Sequence, residues 1–430
     1  MKRFSTLVAF AAAILMTASC GGDRSSVLKV YNWSDYIDES LISEFEQWYE
    51  QQTGEKVTIV YQTFDINETM LSKIEKGQED YDVVCPSDYI IERMLQKDLL
   101  LPINKDFGQT PNYIDETTSP HIRNYFNKID GKGKNANDYA VGYMWGTTGI
   151  LYNRGHVKDS DARTWNIIRN KDYDGKIFIK DAARDVYAPV LIYLKQNELK
   201  DGTVTLDDLM YDSSDESLAA AEKFLCEAKE LIAGWEADFG KEQMIKEEGW
   251  VNLTWSGDAQ WAIEEAKEVG VDLAYTVPEE GSTIWFDGWV IPKYAKNIKA
   301  ASYFINFMCR PDVAIRNMDE TGYVSAAASP EILEAITDED YEPLDLSYFF
   351  GEEATAIPAN PVVYPDKSTI DNCSLEHDWG DDTAKLIAMW SRVKGSDASS
   401  TTYIVIGVVL AAIIASIIIS RNKKKNRHRK

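Results

Sequence analysis

The sequence predicts an α/β protein of two lobes, on three observations. β-type runs and amphipathic helical patterns alternate in strict turn from Leu28 onward, and the same alternation resumes after Lys176. The third is length: 430 residues exceed what one core usually fills. A composition 44% hydrophobic and 27% charged excludes wholesale disorder and a multi-span membrane protein.

Leu28 to Trp33 reads as the first strand. Asp38 can cap the next helix, whose Leu41, Phe45, Trp48 and Tyr49 share one face before Gly54 ends it. Lys56 to Thr63 is a second strand, followed by a helix from Asp65 or Asn67 to Gly77. Tyr81 to Cys85 and Tyr89 to Leu100 repeat the pair. Later, strands at Lys176 to Lys180 and Trp250 to Trp255 lead into helices at Asp185 to Gln196 and Asp258 to Lys267, with a long helix at Glu216 to Ala233 between them. Strands return at Asp272 to Val277 and Ile284 to Ile291, before helices near Ile298 to Cys309, Val313 to Glu320 and Pro330 to Ile336. Alternation of this kind implies parallel sheets covered by helices. Residues 27–139 form the first part of lobe 1, 140–286 lobe 2, and 287–328 the return to lobe 1. The chain crosses near Tyr139 to Met144 and again near Phe286 to Ile291. Residues 329–393 are read as C-terminal helices and loops packing on the lobes.

The ends carry different signals. Lys2 and Arg3 precede an apolar run from Phe4 to Met16 and the small residues Thr17, Ala18 and Ser19, a secretion signal (1–19) in the lipobox arrangement, with Cys20 as the lipidated residue. After a linker at 394–402, residues 403–419 are uncharged and apolar, long enough for about 26 Å of helix and one membrane span. The basic tail 420–430 then lies in the cytoplasm and the body outside.

The net charge is −25. With the nine bases of the two ends removed, 36 bases face 70 acids, a body of −34. Such a surface excludes nucleic acid as a partner and leaves cationic or neutral ligands. Cys85, Cys226, Cys309 and Cys373 form no CxxC or His/Cys cluster, so no metal is expected. They read as isolated buried thiols, with one disulfide left open by the spacing.

Ligands of parallel α/β sheets bind beyond the carboxyl ends of the strands. Four loops at such positions share one chemistry: Trp33-Ser34-Asp35-Tyr36, Pro86-Ser87-Asp88-Tyr89, Trp255-Ser256-Gly257-Asp258 and Trp285-Phe286-Asp287. Each sets an aromatic ring beside a carboxylate or hydroxyl. That pairing suits an organic cation, because ring faces attract ammonium groups by about 0.5–2 kcal/mol and carboxylates take N–H donors. Taken singly, the tryptophans also suit a core, and Asp35 and Asp258 also suit helix N-caps.

The runs Val30 to Tyr36, Tyr81 to Tyr89, Tyr143 to Gly149, Trp255 to Asp258 and Ile284 to Asp287, with Ile305-Asn-Phe, Arg310 to Val313 and Thr321 to Tyr323, resemble the substrate-binding proteins of bacterial spermidine/putrescine ABC transporters. The resemblance spans about Val27 to Arg392. It implies a hinged, two-lobed fold of periplasmic-binding-protein type (type II-like), polyamine binding without catalysis or cofactor, and permease partners served by a separate ATPase. It implies ligand contacts for Trp33, Ser34, Asp35 and Tyr36, for Ser87 and Tyr89, and for Trp255, Asp258, Trp285, Asp287 and Tyr323. Asp185 stands where the family has a glutamate for a terminal ammonium. Ala182 replaces a second acid of the spermidine-type members, with Asp181 one residue earlier, and Asp378 is the candidate for a C-terminal glutamine position. Sugar or peptide binding on the same fold is the alternative, and a secreted hydrolase a more distant one. His121, His156, His377 and His428 stand in no HExxH or triad-like setting, and the chain has no GxSxG or GxxxxGK[ST] loop.

Overall fold

The computed structural model describes residues 24–77 and 79–395. The secretion signal, Cys20, the apolar run 403–419 and the basic tail lie outside the described residues. No helix among those described is long and apolar enough to cross a membrane.

Ten strands carry the architecture: β1 (Val27–Trp33), β2 (Thr58–Phe64), β3 (Val83–Val84), β4 (Leu100–Leu101), β5 (Ala140–Asn153), β6 (Ile177–Lys180), β7 (Ile232–Glu236), β8 (Val251–Trp255), β9 (Leu273–Thr276) and β10 (Ser282–Pro292). Their order is β2-β1-β3-β10-β5-β8-β6-β7, with β4 pairing β10 and β9 pairing β5. β1 is parallel to β2 and β3, and β6 is parallel to β7 and β8. These are two parallel half-sheets, as the alternation requires.

Between them run β5 and β10, which are antiparallel to each other and to the strands they join. The sheet is therefore mixed rather than wholly parallel. A chain that leaves one half-sheet and later returns must traverse the junction in both directions. Residues 140–147 of β5 pair with β10, and 148–152 pair with β8. One strand thus belongs to both halves.

Each half-sheet is covered on both faces. In the first, the helix Ser40–Thr53 buries Leu41, Phe45 and Tyr49 against Phe304 and Phe307 of the helix Ile298–Met308. Gly54 ends it in the left-handed region, at φ 72°, where its N–H reaches the Glu50 carbonyl. The opposite face packs Ile90, Ile91, Met94 and Leu95 with Ile122 and Phe126. In the second, Val186, Val190 and Leu191 meet Leu225 and Phe224, and the terminal helix Thr383–Lys394 adds Leu386, Met389 and Val393.

Two local readings change. Ile232–Glu236 is a strand beside β6, not the end of the preceding helix, which stops at Lys229. Segment 337–378 holds only short elements, of which Cys373–Leu375 pairs with β10. The four body cysteines are free; Cys85, Cys309 and Cys373 are buried as expected, but Cys226 is exposed on the outer face of its helix.

Candidate functional site

The site forms where the loops after β1 and β3 meet β10. Trp285 and Asp287 sit two residues apart on β10 and so project from the same face, while Phe286 turns to the other. Asp287 pairs with Met144 of β5 just before a register shift at Gly288, and it also bridges to Ser87. Gly146 on β5 makes room for this face, because a Cβ there would lie 2.6 Å from the Trp285 indole.

Asp287 is the centre. Its two oxygens accept from the Tyr36 hydroxyl at 2.8 Å and the Ser87 hydroxyl at 2.7 Å. The Tyr36 backbone is fixed in turn: its carbonyl accepts from Asn32 Nδ2 and the Tyr143 hydroxyl. Asp35, just before it, takes a left-handed backbone at φ 49°, which turns the loop. Ser87 precedes the helix Asp88–Gln96, and Asn67 Nδ2 donates to both the Ser87 and Tyr89 hydroxyls. Burial pushes the Asp287 carboxyl up to about 7, against the hydrogen bonds that favour its ionised form, and Asp185 across the cleft adds to the rise.

The second half supplies the opposing wall. Asp185 lies in the first turn of the helix Ala183–Leu194, and one of its oxygens accepts from the Trp255 indole at 2.8 Å. Trp255 meets Trp285 edge to face at 6.5 Å, Trp285 meets Tyr323 at 5.7 Å, and Tyr323 meets Tyr36 at 5.1 Å. An aromatic chain thus joins the acids of both halves. Gly257 permits it, since a Cβ there would sit 2.3 Å from the Tyr323 ring.

Three further acids join them. Glu376, 4% exposed, has one oxygen without a hydrogen-bond partner, and the other lies 3.5 Å from Arg184 Nε. Asp88 is buried and accepts from the Phe286 backbone N–H at 3.1 Å. Glu68 accepts from the Tyr89 hydroxyl. Burial, reinforced by the neighbouring carboxylates, raises Asp185, Glu376 and Asp88 above the ordinary carboxylate range. Among the described residues, neither Asp287 nor Asp185 forms an ion pair with Lys, Arg or His; Glu376 has only Arg184. The cleft therefore carries a strong negative potential with little internal compensation.

The other expected residues are placed as follows. Trp33 is half-buried against Phe64. Ser34 donates to Asp65 at 2.7 Å and Asp35 is exposed, so both lie at the rim. Asp258 is buried and engaged by the Lys180 ammonium at 2.6 Å and the Tyr323 hydroxyl at 2.9 Å. Asp181 turns away to Trp390 Nε1 and Lys394. Asp378 pairs with Arg93, and Glu376, two residues earlier, is the acid that joins the group. Reading the loops for aromatic and acid pairs missed Glu376, Glu68 and Asn67. Asn67 was readable as a helix start, but the other two carried no local signal.

The model of the bacterial extracellular solute-binding protein family matches residues 41–339. The chain belongs to that family. It is similar to the putrescine-binding periplasmic protein PotF of Escherichia coli, with 31% identity over 363 residues covering 80% of this chain and 90% of the relative. The spermidine/putrescine-binding periplasmic protein of the same organism is 26% identical over 88% of this chain and 95% of its own length. Among solved structures, the spermidine/putrescine ABC transporter substrate-binding protein PotD of Streptococcus pneumoniae superposes with a TM-score of 0.62. It is 28% identical and the match covers 86% of this chain and 98% of that one. The two-lobed α/β architecture is therefore that of a solute-binding protein, and the acidic aromatic cleft lies at the junction of its halves.

Proposed function

We propose that this protein binds spermidine or putrescine outside the cytoplasm and delivers it to the permease subunits of an ABC transporter, with ATP hydrolysed by a separate chain. The observation that carries this reading is the group of carboxylates, buried Asp287 and Glu376 with half-buried Asp185, set among Trp255, Trp285 and Tyr36, with Arg184 as their one base within ion-pair distance among the described residues. Buried charges of one sign are costly, and a ligand with two or more ammonium groups removes the cost while its methylenes cover the rings. A neutral sugar would leave these acids unmatched.

In this reading Asp287, held by Tyr36 and Ser87, takes one ammonium, and Asp185 takes another from the opposite half. Trp255, Trp285 and Tyr323 line the methylene chain; Trp33, Ser34, Asp35 and Tyr89 border the entrance. Closure of one half on the other brings the two sets of acids around the ligand. The secretion signal with Cys20, and the span at 403–419, would hold the binding body at the outer face of the membrane.

Calorimetry against spermidine, putrescine and maltose tests the proposal. Micromolar or tighter binding of at least one polyamine, about −8 kcal/mol, is expected with no heat from maltose. Binding of maltose and of neither amine would overturn it.

A further inference from the structure

The acids of the cleft fall into two groups. Asp287 and Asp185 have no base within ion-pair distance among the described residues, whereas Asp258 has two, Lys180 at 2.6 Å and Lys241 at 3.6 Å. Lys180 closes β6 and is 1% exposed. A lysine this deeply buried needs a partner for each of its three donors. Asp258, Glu236 at 3.2 Å and the Ala237 carbonyl at 2.6 Å supply them. Glu236 is itself fully buried and also accepts from the Gly240 N–H and Asn252 Nδ2. A Cβ on Gly240 would lie 2.4 Å from the Glu236 carboxyl carbon, so the loop is fitted closely around this pair.

The same ammonium lies 4.3 Å from the centroid of the Trp255 ring, whose indole N–H reaches Asp185 in the cleft. Trp255 thus lies between an internal cation and the acid Asp185 of the cleft. Asp258 spends its second oxygen on the Tyr323 hydroxyl, which leaves neither oxygen free of a protein partner. We propose that Lys180 is a specificity-determining residue: a built-in cation that satisfies Asp258 and one face of Trp255, so that the ammonium groups of a bound polyamine are confined to Asp287, Asp185 and Glu376. The inference rests on the polyamine reading above. Its consequence is a limit on ligand charge and length. A further ammonium seated toward Asp258 would meet Lys180, and like charges placed together are a strong discriminator.

The test is titration calorimetry of the full-length protein with putrescine, spermidine and spermine. Lys180→Met removes the nearer of the two bases on Asp258 and leaves Lys241 at 3.6 Å, and the affinity for spermine relative to putrescine is expected to rise by about tenfold or more. Lys180→Arg keeps the cation and the wild-type ratio. An equal loss for all three amines in Lys180→Met would make Lys180 a purely structural residue and overturn the proposal. If Lys180→Met does not fold, Asp258→Asn decides: relative affinities within about threefold of wild type are expected, and a selective loss of about tenfold for one amine overturns it. Wild-type protein that binds none of the three amines would refute the polyamine reading itself, an outcome distinct from wild-type binding with an unmoved ratio.

Discussion

Tyr36 and Asp287 stand 251 residues apart in the chain and meet through a 2.8 Å hydrogen bond from phenol to carboxylate. The loop after β1 is thereby fastened to β10, and the acid is oriented before any ligand arrives. Removing its charge with Asp287→Asn should cost about 1.5–3 kcal/mol, at least about tenfold in polyamine affinity. Calorimetry on the variant measures it, and a smaller loss would remove Asp287 from the central role.

The pH dependence follows from the same carboxyl. An ammonium ligand needs it ionised, and burial first, then the nearby Asp185, pushes it up to about 7. Affinity should rise by about tenfold between pH 6 and pH 8 and level off above. Binding at pH 6.5 should release protons, seen as a heat that varies with the buffer's ionisation enthalpy. For the unliganded fold the sign is opposite: a raised carboxyl contributes stability that is present below the ordinary Asp range and lost as pH rises through about 7. Asp287→Asn should flatten the part of both profiles that this carboxyl supplies.

Glu376 tests whether the acid group extends beyond the expected loops. Burial, then Asp185, pushes its carboxyl up, and glutamine removes the charge while keeping the shape of the side chain. Glu376→Gln should leave the melting temperature almost unchanged while spermidine affinity falls by about tenfold. Loss of stability without loss of affinity would assign the residue to packing with Arg184.

Gly257→Ala should damage the aromatic wall. The added carbon would sit 2.3 Å from the Tyr323 ring, and the ring is boxed in by Tyr36 and Trp285. Overpacking of this kind costs about 1–3 kcal/mol. A lower melting temperature with weakened polyamine binding is expected from thermal denaturation and calorimetry together.

Cys226 should be the one rapidly labelled thiol of the body. It is exposed, whereas Cys85, Cys309 and Cys373 are buried. A thiol-reactive dye on residues 24–395 should therefore modify one cysteine in native buffer and four in denaturant.

The helices and most strands were legible because each has one apolar face and a marked end. Phe45 and Tyr49 with Gly54 gave the first helix, and the β1 loop gave Tyr36. Ile232–Glu236 was not, since its apolar run continues the helical pattern before it, and only pairing with β6 makes it a strand. Nor was the antiparallel sense of β5 and β10, which depends on how the halves join. At the site, Asp287 could be read from loop position, and Asp185 only from the resemblance to the polyamine-binding family. Glu376 sits in the acid- and proline-rich segment with no period to place it, and Lys180 reads as the polar end of a strand until Asp258 and Glu236 converge on it from distant segments.

Because Asp287 is carried on a strand that passes between the halves, it lies close to the axle about which one half would turn on the other. Points near an axle travel least. A cation seated there would keep its first contact throughout the swing, while Asp185 on the helix Ala183–Leu194 sweeps through a wider arc. Capture and enclosure then become separable events, with the on-rate governed by the stationary anchor and residence time by the moving wall.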